Sequence, residues 1–598
     1  MQDFLARAFA AALLCILCAP YGAFAEGATG APRGLQVPAV DAAAPEVPVD
    51  PDVAAPVEEA LPDQPGQPRG PKVMVSSLEE IDPAGAGLID ETSGGLPGGI
   101  YAGSPRAAIV SRISQLAAAP ASPALQALQR RILLSTTRPP VGVTPVDEPS
   151  MLAQRMRRLV AGGRVGEAAM LGAQSSREDR FARQVWAEAL LLQGRDEDAC
   201  GDATSLRQSL SEPFWIGLRA YCYIVADDLA AATLTLDVMR ERPGVDAAFL
   251  SLASVLTDGA KAKVDALPAP GALHVALLRR GQIAPPAALA GWLPARQVFL
   301  AGNDPATRLV ALERSARAGL VSIEDLAAAY KGQSFSSDQI DDPEAAAAKL
   351  NMAQANALFF QAISARTLPA ARAAAFAASL ERADGQNNFP LFASLSRQVA
   401  RQMPAVPETS WLAPQILRVL FYNGDVKAAS QWLAMLTSPT DGPVVNALRV
   451  HAAIVYPSAE NTAALPQALA WLGANAAPGP GGKTLLTARA LREVPLLNAL
   501  GYTIPPEAQW ALTAEPVPGS FQGAAADAAR ALGRSAEQQR VGETILNVLV
   551  ALGPDGPQRA PVAVVARAVD ALSTIGMRDE ARAIAAEAVL GSPMRQAR

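Results

Sequence analysis

The residues able to do chemistry are few. His274 and His451 are the chain's two histidines and stand far apart. A histidine-based triad or a His-rich metal site would need one of them, and neither has a neighbouring Cys or an HExxH frame. Both read as ordinary helix residues, and the Cys and His spacing offers no zinc site. No Gly-x-Ser-x-Gly elbow, Ser-x-x-Lys pair or Glu-Ser dipeptide occurs, so the common serine-hydrolase and lytic transglycosylase frames are missing. The stretch Ala477-Pro-Gly-Pro-Gly-Gly-Lys483-Thr484 ends like a phosphate-binding loop. Such a loop needs Gly first and a strand before it, so that backbone N–H groups can cradle phosphate. Here Ala477 follows a helical stretch, so the segment reads as a Pro/Gly linker. The carboxylate pairs Glu324-Asp325, Asp341-Asp342 and Asp579-Glu580 stand at helix starts, where they complement the helix dipole. These readings give a chain with no catalytic residues, no metal site and no cofactor.

Composition narrows the partners. The pI is about 5.4, lysines number only seven, and the cluster Arg155, Arg157 and Arg158 falls on one short helix and reads as a solvated face. Nucleic acid is therefore not expected as a partner, and neither is a nucleotide. An envelope protein or peptide is.

The elements that must position any site are helices. Residues 1–25 have an apolar core followed by the small-x-small triplet Ala23-Phe24-Ala25, the pattern of a secretory signal peptide cleaved after Ala25. The expected location is the periplasm, with no transmembrane segment left after cleavage. Residues 26–103 are crowded with Pro, Ala, Val and Gly and carry 13 acidic against 3 basic residues. Such a segment cannot bury enough surface to offset its chain entropy, and predicts a disordered acidic tether. The remainder, from Ser104 onward, has a net charge of +4 within a chain total of -6.

Residues 104–260 then read as helical hairpins, 261–303 as a Pro-rich bend or short helices, and 304–598 as a second helical array. Ser104-Pro105, Ser122-Pro123, Asp304-Pro305, Asp342-Pro343 and Glu408-Thr409 are predicted starts, and Gly424, Gly473 and Gly576 predicted turns. No alternating strand pattern occurs. The fold class is all-α.

Residues 151–243 repeat one unit of helix, short turn and helix. Turns at Gly163-Arg164, Gly194-Arg195 and Ala226-Asp227, with Gly259 next, give a period in the low thirties. Trp215, Leu218, Cys222 and Val225 form one apolar stripe and Leu229, Ala232, Leu236 and Met239 another, so neither helix can be buried by its own hairpin alone. With Trp215 as an early aromatic, Ala231 as the small second-helix residue and Pro243 closing the unit, the pattern resembles the tetratricopeptide repeat. Ala168 and Ala199 hold the small position in the other copies, while Arg219 stands where the family prefers a small residue. The resemblance implies an α-solenoid of stacked hairpins with a concave face lined by first helices. On that face it places Arg157, Glu188 and Tyr223 as partner contacts. The family's carboxylate-clamp Asn and Lys are missing there.

Two cysteines survive signal removal, Cys200 and Cys222. The repeat register puts one in a second helix and the other in the next first helix, and an exported chain would join them as a disulfide. The Arg-rich, Lys-poor, Ala-rich style resembles exported proteins of Gram-negative bacteria. The function expected is a noncatalytic periplasmic scaffold or adaptor in a secretion, motility or wall-growth assembly. The alternatives are a cell-wall enzyme with an unrecognised active site and a purely structural spacer.

Overall fold

A computed structural model describes residues 82–205, 212–259, 267, 269–302, 304–436, 442–477, 485–513 and 521–591. The signal segment and the tether up to residue 81 lie outside the described residues, as does most of the Pro/Gly linker after Ala477.

Among the described residues the regular elements are helices, with two isolated bridges, Ile89 to Ser135 and Pro105 to Val141. The first ten α-helices are α1 (Arg106–Gln115), α2 (Pro123–Leu134), α3 (Met151–Ala161), α4 (Val165–Gly172), α5 (Arg180–Gln193), α6 (Asp196–Ser205), α7 (Pro213–Val225), α8 (Leu229–Arg240), α9 (Ala247–Asp258) and α10 (Ala272–Arg280). The next nine are α11 (Arg296–Leu300), α12 (Pro305–Arg317), α13 (Ile323–Lys331), α14 (Ser337–Asp341), α15 (Pro343–Ala347), α16 (Met352–Ala365), α17 (Pro369–Gly385), α18 (Phe389–Leu395) and α19 (Arg397–Gln402). The last nine are α20 (Ala413–Tyr422), α21 (Val426–Met435), α22 (Gly442–Val455), α23 (Ala459–Ala476), α24 (Leu485–Ala499), α25 (Gly523–Glu537), α26 (Val541–Leu552), α27 (Val562–Thr574) and α28 (Arg578–Leu590). No helix among the described residues is long and apolar enough to cross a membrane.

Local chemistry sets many boundaries. Ser122, Asp304 and Asp342 each accept backbone N–H bonds as N-caps in front of a proline. Gly163 and Gly194 turn the chain with φ +76° and +80°, the left-handed region that glycine enters without a Cβ penalty. Helices α3 to α8 pack each against the next along the chain. Their buried stripes include Met156 and Leu159, Leu190 and Leu191, and Leu218 and Tyr221.

Four sequence readings are corrected. The tether does not extend to residue 103: Leu96, Ile100 and Tyr101 are each 2% exposed and belong to the main core. Leu96 sits in irregular chain and Ile100 and Tyr101 in turns, which bury apolar residues without helical periodicity. Arg155 is not solvated; it is buried, and its guanidinium donates to the carbonyls of Leu133, Ala84, Ala86 and Ser135. Ser104 does not cap α1, which begins after Pro105; its hydroxyl donates to Glu543 of α26 at 3.1 Å. Gly473 is no turn but lies within α23, where an added Cβ would stand 2.4 Å from the carbonyl oxygen of Glu507.

The two ends of the helical series are in contact. α1 packs on α26 and α2 on α28. Ala121 N–H donates to the Pro554 carbonyl at 2.7 Å, Gly542 N–H to the Ile100 carbonyl at 2.7 Å, and Arg131 pairs with Glu580. The main core accordingly draws residues from both α1–α12 and α22–α28.

Candidate binding cavity

Helix α5 packs on α3, α4, α6 and α10, whereas α7 packs on α6, α8, α9 and α10. With α10 set against both, a cavity of about 430 Å³ lies among α5, α7, α9 and α10. That volume falls in the range of small-ligand or side-chain pockets. Phe214, Ile216, Met239, Phe249, Leu273 and Trp292 make its wall largely apolar. Gly217 supplies room, because a Cβ there would come within 3.1 Å of Leu273 Cδ1.

Glu188 from α5 is the carboxyl on the inner wall. Burial raises its pKa, against the opposing hydrogen bond from Gln184 and the charge of Arg157. Gln184 Nε2 donates to Glu188 Oε1 at 2.8 Å. At the rim, Asp246 caps α9 by accepting from Ala248 and Phe249 N–H. The other carboxylate oxygen of Asp246 lies 3.1 Å from His274 Nε2, out of line for a hydrogen bond. His274 Nδ1 accepts from Gly271 N–H, which places the ring proton on Nε2, where it finds no hydrogen-bond acceptor among the described residues. The rim residue Arg242 is already engaged with another group.

Of the three contact residues expected from the repeat register, Glu188 lines the cavity and Arg157 acts on it electrostatically while lying 5.8 Å from the Phe181 ring centroid. Tyr223 is half-buried against the core and is not part of the lining. The residues of α9 and α10 that complete the cavity were not foreseen. Asp246 ahead of an apolar run was a legible N-cap, but nothing local announced that α10 would sit beside α5. Next to the cavity, Cys200 of α6 and Cys222 of α7 form a disulfide across a separation of 22 residues.

His451 occupies a separate, closed cluster. Its Nδ1 lies 3.0 Å from Glu493 Oε1, and Arg489 donates to the same carboxylate oxygen at 3.0 Å. Burial pushes the His451 pKa down, while the charges of Arg489 and His451 outweigh burial and hold Glu493 below its usual range. His451 and Glu493 are nearly inaccessible, at 2% and 1% exposure, so the cluster joins α22 to α24 and offers no approach for substrate.

No protein-family model matches this chain, and neither does any curated protein or any solved structure.

Proposed function

We propose that the protein is a noncatalytic adaptor of the cell envelope, acting in the periplasm, whose stacked hairpins form an α-solenoid segment that holds part of another protein. The observation that carries this reading is the apolar cavity among α5, α7, α9 and α10, with the Glu188 carboxyl on its wall. Helical-repeat proteins bind through such inward faces, where neighbouring units contribute side chains to one groove. Export is supported by the Cys200–Cys222 disulfide, a bond that persists in oxidising compartments. Glu188 is the contact that lines this cavity, and Arg157 and Tyr223 are proposed contacts outside its lining.

The test is a photoreactive side chain placed at Phe214, on the cavity wall, and separately at exposed Glu324, followed by irradiation of living cells and identification of what is attached. A defined envelope protein captured from position 214 and not from 324 is expected. No adduct at 214, or the same adducts from both positions, would reject the reading.

A further inference from the structure

The cavity is apolar on most of its wall, so it favours a large apolar side chain by the area removed from water. It is not neutral, however. The half-buried Glu188 accepts from Gln184 Nε2 at Oε1. Asp246 adds a second carboxylate at the rim, where Arg242 also stands. An incoming anion would meet the half-buried Glu188 carboxyl on the wall and the exposed Asp246 carboxylate at the rim, whereas a cation would find an acceptor in place. Arg157 favours the Glu188 charge while burial disfavours it, so a cation entering beside Glu188 would stabilise the ionised carboxylate.

We propose that the occupant of this cavity is a basic, apolar segment of the partner: a large apolar side chain fills the space, and an adjacent Lys or Arg meets Glu188. The inference rests on the adaptor reading and names the chemistry of what is held.

Phenylbutylamine, phenylbutanol and phenylbutyrate share one apolar body and differ only in the head group. Titrated calorimetrically into the full-length protein, the amine should bind tightest and about tenfold more tightly than the carboxylate, which corresponds to about 1.4 kcal/mol. Glu188→Gln should bring the amine to the affinity of the alcohol while leaving the alcohol unchanged, which also shows that the variant is folded around an intact cavity. In cells, phenylbutylamine should displace the partner crosslinked at position 214, and the attached segment should carry Lys or Arg beside the crosslinked residue. Equal binding of amine and carboxylate, indifference of the amine to Glu188→Gln, or an attached segment that is acidic would overturn the proposal while leaving the adaptor reading in place. Absence of any adduct at 214 would instead reject the adaptor reading and, with it, this occupant.

Discussion

Glu587 shows how a single residue ties the protein to pH. It is 7% exposed, its Oε1 accepts from Ala124 N–H at the start of α2 at 2.7 Å, and its Oε2 has no hydrogen-bond partner. Burial, opposed by bonds from Ser122 and Ala124, raises its pKa from 4.5 to about 7. A carboxyl with a raised folded-state pKa contributes its full stability below the unfolded value and loses it as pH climbs through the folded one. Between about pH 4.5 and pH 7 the protein should therefore give up on the order of 3 kcal/mol through this group. Glu587→Gln keeps the acceptor and removes the charge. It should raise the urea midpoint at about pH 8 and leave it nearly unchanged at about pH 4, and a pH-independent difference would refute the assignment. Arg155 tests the opposite case, a buried cation held by four carbonyls. Arg155→Met leaves those acceptors unmatched and should cost roughly 4 kcal/mol by chemical denaturation.

At the scale of elements, arginines hold the carboxyl ends of helices from neighbouring elements. Arg158 donates to Leu116 after α1, Arg279 to Leu191 near the end of α5, Arg582 to Ala453 and Ile454 in α22, and Arg492 to Ala588 in α28. The last carbonyls of a helix have no partner within it and carry partial negative charge, and a planar fork of donors can satisfy several of them. This gives a structural use for an Arg-rich, Lys-poor composition. The disulfide performs a second element-scale task, fixing α6 against α7. Replacing Cys200 and Cys222 together by Ala should lower stability by about 3 kcal/mol in the chain-entropy model, measured as a fall in thermal midpoint matched by adding reductant to the parent protein. A reductant-insensitive parent would contradict the bridge.

Across the described unit, contacts between the two ends of the series decide how strain and protection spread. α28 touches α2, α20, α22, α24 and α27, so it is a neighbour of the first helices as well as the last. An array held only by consecutive neighbours would lose order locally when its final helix is removed. Truncation after Gly576 should here also raise hydrogen exchange in α2 by at least an order of magnitude, because it removes Glu580 from Arg131 and Glu587 from Ala124. Unchanged exchange in α2 would show that the end-to-end contacts carry no weight.

What the sequence determined by itself was whatever depends on neighbours along the chain. The helices, the caps at Ser122, Asp304 and Asp342, the turns at Gly163 and Gly194, and the pairing of consecutive helices all follow from period, capping chemistry and backbone freedom within a few residues. Only the tertiary structure decided that Arg155 is buried, that Gly473 admits the backbone of Glu507, that Leu96, Ile100 and Tyr101 join the core, and that α10 closes a cavity beside α5. Each of those outcomes depends on segments distant in sequence meeting in space. Charge, glycine content and periodicity describe a residue's own surroundings and carry no record of which remote surface will cover it.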